Sequence, residues 1–284
     1  MMSNLRFLTS IILVMFLVGL LNAQTWQSID VAASGKDESA PDVAVEADGT
    51  AHIAFKMVSG KVKGKDVYDI GYANTVGNTL SAPQQITNIA TSFIGDISIA
   101  LDAGNNVHVA FERNGAGSYF NNVGGSFSTP IDFTRQTPSG LDMDIDGNGK
   151  AHIVFYDLVA GVWHVFYATN VSGNFMVSDL GNFGFDKGAL EPTVDETGGV
   201  VRIAFKGAFS TSTENFYQNI YLIDNSGGTF STSNPTLVAD TGPNDQNPTV
   251  SVDSQGAIHV IFDISTVSSL LKEAAIKSPP IRVG

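Results

Sequence analysis

Four of the five histidines in this chain open one recurring phrase: His52-Ile-Ala-Phe, His108-Val-Ala-Phe, His152-Ile-Val-Phe and His259-Val-Ile-Phe. Imidazole can ligate a metal or carry a proton near neutral pH, so spaced histidines are the first place to look for chemistry. A fifth copy reads Arg202-Ile-Ala-Phe, and the intervals between copies are 56, 44, 50 and 57 residues. A residue present in every copy of a repeat usually builds the repeat, and an arginine in one copy interrupts any metal ring. His52, His108, His152 and His259 are therefore expected to be scaffold, each satisfied by a polar neighbour. Six residues before each copy stands an acid: Glu46, Asp102, Asp146, Glu196 or Asp253. These are expected to accept backbone N–H bonds in a turn.

Asp142, Asp144 and Asp146, followed by Gly147, have the Asp-x-Asp-x-Asp-Gly spacing of calcium loops, where hard oxygen ligands converge on one ion. The glutamate that would close such a loop is absent, with Phe155 and Tyr156 near its place, and Asp142 and Asp146 also fall on repeat positions. Calcium is thus one reading of this segment and the repeat itself is the other.

Strands must position these groups. Each copy starts with an alternating run ending in an acid, as in Asp42-Val-Ala-Val-Glu46 and Asp142-Met-Asp-Ile-Asp146, with a degenerate copy at Pro192-Thr-Val-Asp-Glu196. Period-two alternation indicates a strand, and the Gly/Asn-rich step that follows indicates a hairpin turn. The His/Arg phrase is the second strand. A third follows, such as Trp163-His-Val-Phe-Tyr-Ala168, and then an aromatic-bearing fourth, such as Ser126 to Phe133. Helical periodicity is seen only over Ser268 to Lys277. Four short antiparallel strands in about fifty residues, repeated five times, describe an all-β chain: a β-propeller of five four-stranded blades. Thr25-Trp26-Gln-Ser-Ile-Asp-Val31 resembles a lone fourth strand and is expected to complete the last blade, closing the ring and removing exposed edges. The competing reading is that the C-terminus lacks further blades or a sorting domain.

In such a ring the start of each first strand and the end of each second strand share one rim, and functional residues concentrate on rims. The rim would gather Asp42, Asp96, Asp142, Glu191 and Asn247 with Lys56, Glu112, Arg113, Tyr156, Asp157, Lys206 and Asp263. Asp42, Asp96, Asp142, Arg113, Tyr156 and Asp157 are the chosen ligand-binding candidates.

Arg6 followed by the apolar stretch 7–21 and by Leu21-Asn22-Ala23 reads as a secretory signal cut before Gln24, leaving one domain over 24–284. The stretch is short for a membrane span. The expectation is a bacterial protein that is secreted, periplasmic or at the cell surface, with no membrane segment after cleavage. There is no cysteine, so the core and not disulfides must hold it. A net charge of −13 excludes phosphate-rich partners such as nucleic acid, which need clustered Lys and Arg. A monomer is expected.

At the turn between third and fourth strands the chain resembles the Asp-box of sialidase-like propellers, commonly Ser-x-Asp-x-Gly-x-Thr-Trp. Asn225-Ser-Gly-Gly-Thr229-Phe230 and Asn122-Val-Gly-Gly-Ser126-Phe127 carry the resemblance, with weaker copies at Asn170 to Phe175 and Ala73 to Leu80. Asn stands for Asp, and the leading Ser is missing. The resemblance implies a structural turn remote from catalysis. Sialidases also bind their acidic substrate with three arginines, whereas beyond the signal this chain has only Arg113, Arg135, Arg202 and Arg282. The expected function is a non-catalytic module that binds a glycan or an extracellular protein. The alternative is a glycoside hydrolase using rim carboxylates. No cofactor is implied beyond the calcium reading.

Overall fold

The computed structural model describes residues 38–76, 79–134, 138–183, 190–207, 218–240, 245–264 and 270–276. Among them every regular element is a strand, and the strands form five antiparallel sheets in chain order. Sheet 1 holds β1 (Glu38–Val45), β2 (Ala51–Val62) and β3 (Lys65–Val76), with the short β4 (Thr79–Leu80) and β5 (Gln84–Gln85) both on β3. Sheet 2 is β6 (Ile94–Leu101), β7 (Val107–Arg113), β8 (Ala116–Asn121) and β9 (Ile131–Thr134). Sheet 3 is β10 (Ser139–Ile145), β11 (Ala151–Val159), β12 (Val162–Thr169) and β13 (Met176–Gly181). Sheet 4 is β14 (Thr193–Thr197), β15 (Val200–Gly207), β16 (Asn219–Asp224) and β17 (Thr236–Ala239). Sheet 5 has three strands, β18 (Asp245–Val252), β19 (Ile258–Ile264) and β20 (Leu270–Ile276).

One ambiguous segment is decided here. The segment with helical periodicity is β20, paired residue by residue with β19 from Ile258↔Ile276 to Ile264↔Leu270. Ladder pairing decides over an ambiguous local pattern in a short apolar run. The lone strand expected at 26–31, which was to close the ring, lies outside the described residues.

Apolar side chains alternate between the two faces of each sheet and pack on both neighbours. Four hydrophobic clusters result among the described residues, one at each seam between consecutive sheets. Phe111 and Ile99 face Ala54 and Ile70 of sheet 1, and Phe155 and Met143 face Ala110 and Tyr119 of sheet 2. Rows of polar bonds run beside these clusters. A polar residue at one equivalent place in the first strands of sheets 1 to 4 takes an N–H from the next sheet. The Ile99 N–H donates to Asp42 Oδ2 (2.8 Å), Met143 N–H to Ser98 Oγ (3.1 Å), Val194 N–H to Asp142 Oδ2 (2.9 Å) and Val250 N–H to Thr193 Oγ1 (3.0 Å). A second row adds Glu196 N–H to Asp144 Oδ2 (2.6 Å) and Val252 N–H to Asp195 Oδ2 (3.0 Å). First strands face one another edge-on, so their N–H groups would otherwise be buried without acceptors.

The histidines form a third network. His52, His108 and His152 are 6%, 0% and 5% exposed, and each Nδ1 meets a tyrosine hydroxyl on the adjoining strand: Tyr72, Tyr119 and Tyr167, at 2.5–2.6 Å. Each Nε2 points at the acid six residues upstream, at 2.6 Å for Glu46, 3.4 Å for Asp102 and 3.6 Å for Asp146. Those acids also order the turn, Asp102 accepting the Gly104 and Asn106 N–H groups and Asp146 those of Asn148 and Lys150. The tyrosine then packs edge-on against the turn aromatic of the next sheet: Tyr72 on Phe127, Tyr119 on Phe175 and Tyr167 on Phe230, at 5.0–5.3 Å. Where Arg202 replaces His, Leu222 replaces Tyr. The histidines are scaffold, as their repetition implied.

At the third-to-fourth-strand turns, Asn122, Asn170 and Asn225 each accept the N–H that opens the second strand of their own sheet, at 2.7–2.8 Å. Gly125, Gly173 and Gly228 follow at φ between 82° and 102°, a region open to glycine.

Candidate functional site

The five first strands converge on a mouth of about 350 Å³ lined by Pro41, Asp96, Gly140, Glu191, Pro192 and Asn247, among others. A β-bulge interrupts the first strand at this level in sheets 1, 2, 3 and 5. Ala40, Glu191 and Asn247 have φ of 49°, 46° and 49°, and Gly140 has 56°. Three non-glycine residues in the left-handed region at equivalent places, each before a proline, store strain around one opening. The bulge turns N–H groups sideways, where the preceding sheet's carboxylates take them. Gly140 N–H donates to Asp96 Oδ2 (2.7 Å), and Asn247 N–H to Glu191 Oε2 (2.8 Å).

Asp96 and Glu191 line the mouth, and two further carboxylates of sheets 2 and 3, Glu112 and Asp157, are close enough to Asp96 or to one another to interact. Glu112, next to last in β7, is 6% exposed and accepts the Asp96 N–H. Its carboxyl lies over Gly95, where a Cβ would collide with it. Burial pushes Glu112 up to about 7; the Asp96 charge adds to this, the Asp96 N–H opposes it, and Asp157 adds a smaller push. The Tyr156 ring covers Gly140 and meets Trp163 edge-on at 5.1 Å. Burial, followed by the charges of Asp96, Glu191 and Glu112, drives the Tyr156 hydroxyl to about 12. Lys206, 5% exposed, bonds Glu191 Oε1 at 2.9 Å, so Glu191 is held as a paired carboxylate. Asn247 Nδ2 bonds Asp263 at 2.8 Å on the far side. The arrangement pairs a carboxyl that keeps its proton near neutrality with an exposed carboxylate beside it, which is the pattern of acid and base groups.

Of the six ligand-binding candidates, Asp96 lines the mouth, Tyr156 lies over Gly140 at its edge, and Asp157 is near enough to Glu112 for its charge to act there. Asp42 and Asp142 lie one step deeper, spent on N–H groups of the following sheet, and burial raises the Asp142 carboxyl to about 7. Arg113 is outside the mouth, in a cleft between sheets 1 and 2, with Nη2 on Asp132 Oδ1 at 2.5 Å. Asp142, Asp144 and Asp146 share a face of β10, but their oxygens go separately to Val194, to Glu196 and to the turn. No group of three or more His, Asp or Glu able to hold a metal exists among the described residues. Phe93, which is 47% exposed beside Gly95 and Glu112, was not singled out from the sequence. Its signal was Gly95 itself, a glycine where the other copies have Ser39, Ser139, Leu190 and Gln246.

No protein-family model matches the chain, and no curated protein was found to match it. Solved structures do. A protein of unknown function from Dyadobacter fermentans superposes with a TM-score of 0.60 at 12% identity, over 87% of this chain and 81% of that one. The NanB sialidase of Streptococcus pneumoniae superposes with a TM-score of 0.54 at 8% identity over 82% of this chain, and in a second structure with 0.52 at 10%. This chain spans 53% and 60% of those sialidase chains. The fold is a sialidase-like β-propeller. Likeness at these identities extends to the fold alone, and the propeller's described arginines do not converge. Arg202 is at the turn end of β15, on the Thr197 and Val200 carbonyls, while Arg113 faces Asp132. No helix among the described residues is long and apolar enough to cross a membrane.

Proposed function

We propose that the mouth is a glycoside-hydrolase-type carbohydrate site, with Glu112 as proton donor and Asp96 as its partner carboxylate. The observation that carries this reading is the approach of Asp96, Glu112 and Glu191 to Tyr156 where the five first strands converge. Glycosidic cleavage needs one carboxyl that gives a proton to the leaving oxygen and a second that attacks, or activates water. The structural likeness to a sialidase supports a glycan as ligand, but not the acidic substrate of that enzyme. The only lysine in the carboxylate group is already paired with Glu191, and arginine is absent from it, so a neutral sugar fits this mouth better.

A panel of chromogenic glycosides of neutral sugars tests the proposal. Glu112→Gln should lower kcat by a factor of about 100 or more. Wild-type kcat should fall as pH rises through about 7, where Glu112 loses the proton it must donate. Binding on a glycan array without turnover of any glycoside would restore the non-catalytic reading. That reading has one observation in its favour: Asp96 and Glu191 each spend an oxygen on a backbone N–H. We also infer export, supported by Arg6 and the apolar stretch 7–21; secreted material should begin at Gln24.

A further inference from the structure

Beside the mouth lies a larger cleft of about 570 Å³ between sheets 1 and 2. Its walls are built for rigidity. One is the β2–β3 hairpin, with two strands of 12 residues the longest of the described hairpins. The other is the segment 87–92 before β6. Asp69, 1% exposed, holds that segment by accepting the Thr87 hydroxyl (2.7 Å) and the Ile89 N–H (2.7 Å). Backbone bonds between Tyr68 and Thr91 fix its end, and Ala90 has a φ of 44°. A buried carboxylate dedicated to one loop is costly unless all its bonds are made, and here it fixes the cleft wall in one shape.

The lining mixes apolar side chains, Val62, Val67 and Ile89 among them, with charges of both signs. Lys65, Asp66, Arg113 and Asp132 carry the charges; Asp66 pairs with Lys61 at 3.3 Å, Arg113 bonds Asp132, and Ser92 Oγ donates to Asn114 Oδ1 at 3.1 Å. Paired charges and amides offer donors and acceptors to hydroxyl groups while presenting little net charge to an ion. Phe93 is the only exposed aromatic among the described residues, and in sequence it lies between Ser92, which lines the cleft, and Asp96, which lines the mouth. Those two residues are four apart, at most about 13 Å along the chain. The Phe93 ring adjoins Gly95, over which the Glu112 carboxyl lies. The Thr91 hydroxyl donates to the Phe93 carbonyl at 3.2 Å, which helps hold the ring's position. An apolar ring kept in water next to a carboxyl suits the apolar face of a sugar ring.

We propose that this cleft is a second sugar-binding subsite, joined to the mouth across Phe93, so that the ligand is an extended neutral oligosaccharide and not a single terminal sugar. The proposal rests on the reading of the mouth as a carbohydrate site, and its test separates the two. Calorimetry with neutral mono-, di-, tri- and tetrasaccharides chosen from array hits is run on the full chain, on Phe93→Ala and on Asn114→Ala. Affinity of the wild type should rise at least tenfold from mono- to tetrasaccharide. Phe93→Ala should reduce that length dependence about tenfold, Asn114→Ala should reduce it several-fold, and Phe93→Trp should retain it. Both truncated side chains are exposed, so unchanged melting temperatures exclude misfolding as the cause. Affinity independent of length in the wild type, or a length dependence untouched by Phe93→Ala, would overturn the second subsite and leave the mouth standing. A wild type that binds no glycan of any length would overturn both.

Discussion

The seam between sheets 2 and 3 and the outer faces of sheets 1 and 5 are made from the same repeat, yet they are finished differently. At the seam, Ala100, Met143 and Ala110 are 8%, 5% and 0% exposed, and Asp142 and Ser98 bridge the first strands. At the row's two ends, Val43 is 55% exposed where Ile99 and Met143 are its counterparts. Ile261 is 47% exposed where Ala54, Ala110, Val154 and Ala204 are each 0%. Thr249 and Ser251, equivalent to the seam acceptors, are exposed as well. Alternation makes every sheet two-faced, so a row of sheets has one more pair of faces than it has seams. Among the described residues, no cluster joins sheet 5 to sheet 1. Repeated sequence therefore does not imply repeated energetics; position in the row decides.

Truncation inside a seam should give the largest effect. Phe155 is fully buried, stacked on Phe166 at 5.2 Å and close to Phe133, and Phe155→Ala should cost about 3–5 kcal/mol in denaturant unfolding. A cost under about 1 kcal/mol would mean that the seams are not tightly packed.

The histidines carry the comparison into a polar network. His108→Ala removes the bond of the buried ring to the Tyr119 hydroxyl and its contact with Asp102, leaves a cavity at a fully buried position, and should cost about 2–3 kcal/mol. His259 makes its 3.2 Å bond to Asp253 with a side chain still 30% exposed, and His259→Ala should cost less than about 1 kcal/mol. Equal losses at the two positions would erase the distinction between seam and end.

The seam acceptors also predict a pH dependence. Asp142 has its carboxyl raised from 3.8 to about 7 by burial, against the lowering effect of the Val194 N–H. The native state thus binds a proton that the unfolded state releases, and this contribution is lost as pH rises from about 4 to 7. His108 and His152, lowered by burial, act in the opposite sense, losing stability as pH falls below about 6.5. Comparison with Asp142→Asn isolates the first effect. The melting-temperature advantage of the wild type over this variant should shrink by something on the order of 5 °C between pH 4.5 and about 7.5. A constant difference would show that Asp142 is ionised throughout.

The smallest effect should come from the ends. Val43→Ala and Ile261→Ala should each change stability by no more than about 0.5 kcal/mol. A loss of about 1–2 kcal/mol at both would show these faces to be covered in solution, which the expected closing strand at 26–31 or direct contact of the two faces would explain.

Much of this molecule was legible in order and little of it in depth. Alternation and the His/Arg phrases located the middle of the first two strands of every sheet, because side-chain period and turn chemistry are local, while the strands themselves run up to seven residues further. They also marked the histidines as structural, since a site has no use for four copies. The β20 segment, Leu-Leu-Lys-Glu-Ala-Ala-Ile, suits either period, and only its ladder with β19 resolves it. At the mouth, the rim rule collected the right residues but could not rank them. Asp42 and Asp142 stand ten residues before their histidines and Asp96 twelve. That offset puts Asp96 inside the bulge, facing the opening, and the other two beyond it, on a neighbouring strand's N–H. Arg113 and Glu112 are adjacent in sequence and face different hollows, as alternation along a strand requires. Composition, charge and repeat period are properties of the chain and need no partner to be read. The acidity of Glu112 depends on the desolvation and nearby charge that Asp96 and Asp157 supply from two sheets, and the exposure of Phe93 depends on the seat that Gly95 gives to Glu112; both therefore exist only once the sheets are packed.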